Sequence, residues 1–349
     1  MKPFLSAVLV FTLSVTSFAG EVTLRLKGKD GPGKGKHIVL VSGDEEYRSE
    51  ESMPMLGKIL SQKHGFDCTI VFSWDSKQEH IDPNNAKGLR GLDALDKADL
   101  MIIGTRFRQP GPEEAAHITK FLDAGKPVIG IRTATHAFKG AGNFGDAIPF
   151  GQFGRKVLGE TWVSHHGKHK SQGCRGQIVE FNKNHPILNS VTDVFAPSDV
   201  YGVKHLTDKD RVLLRGAVTE SLDPASPIVK GPINKATQAL AWLHPYKSSG
   251  GTEGISFCTT AGASVDLLNE DLRRMLVNAT YHLVKLEVPQ KADVDFVDPF
   301  YPSFFGFIKD KKYWPGQDMQ VEDYGLGKTP HAPDPKGTPN WPFRPTPKQ

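Results

Sequence analysis

Cysteine is scarce in this chain. Its 349 residues include three, Cys68, Cys174 and Cys258, with no C-x-x-C spacing. An odd count this small excludes a disulfide framework and leaves at least one thiol free. Cys68 and Cys258 lie in apolar strand-like runs, where a buried, inert thiol is the expected outcome. A charge excess of one sign is also missing. The 43 Lys and Arg residues face 39 Asp and Glu, for a formal net charge of +4. That is too small and too evenly spread to hold nucleic acid, so no nucleic-acid partner is expected. Long apolar runs are lacking too. The run near the N-terminus is shorter than the ~20 residues of a membrane span, and no span is expected in the mature chain. With 38% hydrophobic and 23% charged residues, the composition suits a soluble globular protein.

The first 19 residues read as a secretory signal. Lys2 gives the positive end, Phe4 to Val15 is mostly apolar, and Ser17-Phe18-Ala19 places small residues before Gly20. The mature protein is therefore expected outside the cytoplasm, in the periplasm or beyond. Residues 20–36 form a polar, Gly-rich lead-in.

The main domain is expected over residues 37–286. His37–Val41 is a first strand, followed by a helix with Met55, Leu56, Ile59 and Leu60 on one face and Gly65 as its stop. Cys68–Phe72 and Asp99–Gly104 are further strands. Pro112 opens a helix striped by Ala115, Ile118 and Leu122 and closed by Gly125. Val128–Ile131 is a buried strand. This alternation predicts an α/β fold, a three-layer α/β/α arrangement around a mainly parallel sheet. Strands are also expected at 177–181, 212–214, 239–243 and 255–258, with a closing helix from about Asn269 to Leu283. From residue 287 to 349, Pro and aromatic residues interleave. That predicts an extended C-terminal arm, packed over the domain or used in recognition or subunit exchange, so an oligomer could form through it.

Chemistry concentrates where the strands end. Gly130-Ile131-Arg132-Thr133-Ala134 has the form of a strand-to-helix elbow, whose third residue stands at the carboxyl edge of the sheet. Ligands of open α/β sheets bind at that edge. If a helix begins there, Arg132 and His136 share a face and put a guanidinium and a titratable imidazole into one crevice. The loop after the first strand carries Asp44, Glu45 and Glu46. These could bind sugar hydroxyls or a metal, act as acid or base, or simply favour a helix N-terminus. The long irregular stretch 140–173 holds His165, His166 and His169. That spacing could supply metal ligands, but Lys168 and Lys170 oppose a cation, so a polar cluster facing substrate is the preferred reading. No resident cofactor is expected, a divalent metal at the His165/His166/His169 cluster being the alternative.

Several pieces together resemble the ThuA-like family, a branch of the class I glutamine amidotransferase-like fold. They are the first strand with its polar loop, the elbow 130–138, Asn184-His185-Pro186-Ile187, Asp199-Val200-Tyr201, Ala241-Trp242, Ser256–Gly262, and Asn278-Ala279 in the closing helix. The match covers roughly residues 36–286. The resemblance implies the three-layer fold and a link to sugar metabolism, since the family is named for trehalose utilisation. It also brings Asp199 and Tyr201 to the candidate site. One departure matters. A glutamine amidotransferase needs a Cys nucleophile at the elbow, and here stands Arg132, which stays protonated and cannot attack a carbonyl. Glutamine hydrolysis is therefore excluded. The family's elbow often carries a His; the nearest here is His136.

The chemistry expected is that of an enzyme acting on a sugar or oxidised sugar derivative by hydrolysis, isomerisation or elimination, with a small carbohydrate as its ligand. His136 would be the general acid or base, Arg132 would hold an oxyanion, and Glu46 and His165 would share proton transfer. Asp44, Glu45, Thr133, His166, His169, Asp199 and Tyr201 would bind substrate. A non-catalytic carbohydrate-binding protein is the competing expectation.

Overall fold

The computed structural model describes residues 21–341 and 343–345. The expected signal, residues 1–19, lies outside the described residues. The lead-in contributes an edge strand, β1 (Thr23–Leu26). The expected elements then come in order: β2 (His37–Gly43), α1 (Ser49–His64), β3 (Asp67–Ser73), β4 (Leu100–Thr105), α2 (Pro112–Asp123) and β5 (Val128–Ile131). Gly65 ends α1 in the left-handed conformation, at φ 80°, which a glycine reaches without a Cβ clash. Pro112 sits in the first turn of α2, where its missing N–H has no helical partner to lose.

Beyond β5 lie β6 (Cys174–Ile178), β7 (Arg211–Val218), β8 (Gln238–Lys247), β9 (Glu253–Thr259) and α3 (Glu270–Leu283). Asn269 caps α3 by accepting the Leu272 N–H at 2.8 Å. One sheet contains all nine strands, in the order β1-β3-β2-β4-β5-β9-β8-β7-β6. Its centre, β3-β2-β4-β5-β9, is parallel. β8, β7 and β6 extend it antiparallel. The change has a simple cause. Parallel neighbours need a crossover of a dozen or more residues, usually a helix, and the chain stops alternating strand with helix after β5. β8 and β9 are joined instead by a short turn.

The alternation of side chains along each strand divides the core into two layers. Ile38, Leu40, Ile70, Ile102 and Ile129 pack against Leu56 and Ile59 of α1 and Met275 and Leu276 of α3. Val39, Val41, Val71, Met101 and Ile103 face Ile118, Phe121 and Leu122 of α2. Each such side chain contributes about 1.5–3 kcal/mol relative to exposure. All three cysteines are buried and free. Among the described residues no helix is long and apolar enough to cross a membrane.

The arm runs over the domain, with helical turns at Tyr313–Gln317 and Val321–Tyr324. Its Phe300, Phe304, Phe305, Trp314, Tyr324 and Trp341 are buried. Ser303 donates to the Glu51 carboxylate through both its N–H (3.0 Å) and its hydroxyl (2.7 Å). Lys58 meets Asp298 at 2.7 Å.

Candidate active site

The elbow forms, and it is strained. Ile131 ends β5 in extended geometry, and Arg132 then turns to φ 50°, a left-handed conformation costly for a long side chain. The glycine behind it makes room, since a Cβ on Gly262 would lie 1.9 Å from Ile131 Cγ2. The segment after the turn differs from expectation. Residues Arg132–His136 form a 3-10 helix, not the start of an α-helix. With three residues per turn, positions 132 and 136 no longer share a face.

Arg132 is therefore corrected from a rim residue to a buried one. Its side chain is 1% exposed. The guanidinium lies between the rings of Tyr47 and Tyr201, at 4.4 and 4.0 Å. It donates to Asp199 Oδ1 at 2.8 Å, to the Asp199 carbonyl, to the Thr260 carbonyl at 2.6 Å and to the Tyr47 hydroxyl at 3.2 Å. It organises the site from beneath.

Asp199 is the hub above it. His165 Nδ1 and His169 Nδ1 lie 3.0 and 2.9 Å from its carboxylate oxygens, with their rings 4.1 Å apart. Burial alone would raise this carboxyl; the bonds from His165 and His169 and the Arg132 charge instead hold it well below the usual carboxylate range. With Nδ1 committed, each imidazole keeps Nε2 for a ligand. A two-strand ladder of His165–His166 against Val200–Tyr201 sets the register. It also sends His166 elsewhere, to the Ile233 carbonyl at 3.0 Å, so the expected triple-histidine cluster is His165, His169 and Asp199 instead. These three offer ligand atoms within 4.8 Å of one another. Arg132 already supplies Asp199 with the positive charge that a cation would bring, which disfavours a metal there.

The acidic loop divides in the same way. Asp44 is 2% exposed and Thr133 fully buried, so both lie behind the surface of the crevice. The Thr133 hydroxyl donates to Asp44 Oδ2, and Asp44 Oδ1 accepts the N–H groups of Glu46 and Tyr47. The pair ties the loop to the elbow. Tyr201, 2% exposed, is the ring on which Arg132 rests. Glu45 is held by Arg106 at 2.8 Å and by Arg108. Glu46 meets Arg106 Nε at 3.1 Å. Burial first, then the Asp44 charge, raise its carboxyl to about 6 against the pull of Arg106. Burial, with the charges of Arg106, Arg132 and His165, pushes the His136 imidazole down to about 3. His136 is thus neutral at physiological pH, while Glu46 holds its proton more tightly than an ordinary carboxyl.

His136 stays partly buried, with its ring 4.9 Å from Phe107, 6.0 Å from Trp162 and 6.1 Å from Tyr201. The structure thus unites His136, His165, His169, Asp199 and Glu46 over a floor of Arg132 and Tyr201, and leaves out His166. Sequence reasoning passed over Arg106 and Phe107. They lie just past the carboxyl end of β4, and the edge rule that selected the elbow applies equally to them. The same rule reaches Tyr47, in the loop after β2; Trp162, Phe305 and Phe307 had no comparable signal.

No protein-family profile and no curated protein matches the chain. Solved structures do. A ThuA-like protein from Bacteroides uniformis aligns with 73% of this chain and 93% of its own, at 14% identity and a TM-score of 0.46. A ThuA-like protein from Parabacteroides merdae aligns with 75% of this chain and 95% of its own, also at 14% identity and 0.46. The glutaminase domain of a Trypanosoma brucei CTPS with bound acivicin covers 74% of this chain over 98% of its own length, at 11% identity and 0.34. ThuA-like proteins are thus among the structures to which the chain is similar.

Proposed function

We propose that this crevice is the active site of an exported enzyme that transfers a proton on a sugar or an oxidised sugar derivative, the substrate class to which the ThuA-like motifs point. One observation carries the reading. A carboxyl at about 6, Glu46, stands in the same charge network as an imidazole kept neutral, His136. Surroundings that drive two titratable groups apart in this way leave one to exchange a proton and the other to hydrogen-bond. Glu46, rather than His136, is then the proton-transfer group. His136 accepts or donates a hydrogen bond to a substrate oxygen. His165 and His169, aligned by Asp199, offer Nε2 to hydroxyls or to a developing alkoxide. Hydrolysis, isomerisation and elimination all draw on this set.

The reading takes no metal, because the Asp199 charge is already balanced by Arg132. Stoichiometric zinc or manganese in the purified protein would count against that part. A carbohydrate-binding protein without turnover is the second reading. What favours it is the elbow, whose apex residue is a sealed guanidinium and no nucleophile.

The test is a product screen by NMR with ordinary and oxidised disaccharides, run on the native chain, Glu46→Gln and His136→Ala. The proposal expects turnover to fall at least a hundredfold in Glu46→Gln while sugar affinity changes little. Unchanged turnover in that variant would remove Glu46 from the chemistry. Binding with no product from any sugar would establish the second reading.

A further inference from the structure

The C-terminal arm does more than cover the domain. The Gly306 N–H donates to the Glu46 carbonyl at 2.7 Å, fixing the arm beside the acidic loop. The two neighbours of this glycine then point different ways. Phe305 is fully buried, stacked on Tyr47 at 5.3 Å and tilted against the His169 ring at 5.2 Å. Phe307 is 37% exposed and lies 5.0 Å from the Arg106 guanidinium carbon. Across the site, Trp162 is 41% exposed, with its ring 6.0 Å from His136 and 5.9 Å from His165.

Between these two rings the rim is continuous. Arg106 lies 4.8 Å from the Phe107 ring as well, and Phe107 is 4.9 Å from His136. Phe307, Arg106, Phe107, His136 and Trp162 thus follow one another along the rim, with exposed aromatics at the ends and a guanidinium and an imidazole between them. Among the described residues only six large hydrophobic side chains are exposed, and two of them are these. A soluble surface gains nothing by leaving two large rings beside a polar crevice unless something covers them.

We propose that Phe307, supplied by the arm, and Trp162 are the platforms that receive the C–H face of a pyranose ring, so that the arm is a specificity element of the site. This rests on the carbohydrate reading above. A pyranose with equatorial hydroxyls presents axial C–H groups on one face, and these meet the electron-rich face of an aromatic ring. Its hydroxyls radiate sideways, toward charged and imidazole partners that make strong hydrogen bonds. A ring with an axial hydroxyl on the stacking face is held off the platform and binds more weakly.

The experiment uses the full chain and trehalose as probe, with saturation-transfer NMR for contact and calorimetry for affinity. Phe307→Ala, Trp162→Ala and, as control, Phe181→Ala are compared; Phe181 is 89% exposed on a separate turn. All three are surface substitutions, and thermal melting confirms that each folds. The expected result is saturation transfer to trehalose C–H protons and affinity about tenfold weaker in each of the first two variants. Phe181→Ala should match the native chain, and Phe307→Tyr should restore binding. Native binding that neither Phe307→Ala nor Trp162→Ala weakens would overturn the platform proposal and leave the carbohydrate reading standing. Failure of the native chain to bind trehalose, maltose or their oxidised forms would overturn the carbohydrate reading itself, and the platforms with it.

Discussion

Arg132 and Asp199 meet at 2.8 Å with 1% of each side chain exposed. The residue at the end of β5 is thus the counter-ion of the crevice's central carboxylate. The left-handed turn at Arg132 points the guanidinium under the site, where Tyr47 and Tyr201 enclose it. The arrangement places a buried ion pair beneath the crevice.

Removing one member of a buried pair leaves the other charge stranded, at about 3–5 kcal/mol. Arg132→Met and Asp199→Asn should each lower unfolding free energy by that order in urea titrations. The double variant should lose clearly less than the sum, because no charge is then left uncompensated. Additive losses would show that the two side chains do not act as a unit.

Glu46 makes stability and activity respond to pH in the same window. Its folded value of about 6 lies above the ordinary 4.5, so the folded chain holds this proton more tightly than the unfolded one. The contribution is full below pH 4.5 and is lost as pH rises through about 6, a difference of about 2 kcal/mol. Glu46→Gln should flatten the stability profile between those values. If Glu46 is the base, turnover rises with pH through the same window, and that limb disappears in the variant. A limb that survives in Glu46→Gln assigns the titration to another group.

The parts of the fold that could be read from residues are those governed by period and punctuation. The apolar runs at 37–41, 68–72, 99–104 and 128–131 became β2 to β5, and Gly65, Pro112 and Asn269 stop or start helices where their backbone chemistry requires. Asp199 and Tyr201 were reached through the motif resemblance, and His165, His169 and Glu46 through residue type at a loop; the structure brings these side chains to one crevice. What was not legible depends on direction. Nothing local says that Arg132 turns inward; that comes from its positive φ and from Asp199, 67 positions away. His165 and His166 differ by one step along a strand, and pleating sends them to opposite sides. Phe305 and Phe307 arrive from a segment without regular structure, for which no periodicity argument exists.

His136 should not behave as a physiological titrating group. Burial first, then the Arg106 and Arg132 charges and the nearby His165, lower it from the ordinary 6.5 to about 3. The folded chain resists protonating it, so this contribution is full above pH 6.5 and is lost as pH falls toward 3. The His136 imidazole C–H signals should therefore hold constant between pH 5 and 8 in NMR. A midpoint near 6.5 would place the ring in solvent and return it to the role of acid or base.

Gly262 is a silent requirement of the elbow. Its φ of 138° is open to glycine, and a Cβ would press on Ile131 at 1.9 Å, immediately before the left-handed turn at Arg132. Gly262→Ala should destabilise the protein by about 1–3 kcal/mol and disturb the Arg132–Asp199 pair. Unaltered thermal melting would mean that the elbow accommodates a side chain there.

The arm is held as part of the core, and this sets what its loss should do. Phe304 is fully buried, stacked 4.3 Å from Phe305 and 5.6 Å from Trp341. Truncating it leaves a cavity between the Phe305 and Trp341 rings, so Phe304→Ala should cost about 3–5 kcal/mol. Deletion after residue 287 also removes Ser303 from Glu51 and Asp298 from Lys58, and exposes the apolar groups beneath Phe300 and Tyr324. That chain should aggregate or melt at lower temperature in calorimetry. A tail used only for subunit exchange makes the opposite prediction: the shortened domain stays folded and only its elution in gel filtration changes. The two outcomes differ because an exchanged tail takes its binding energy from another subunit, whereas these rings bury their surface against their own domain.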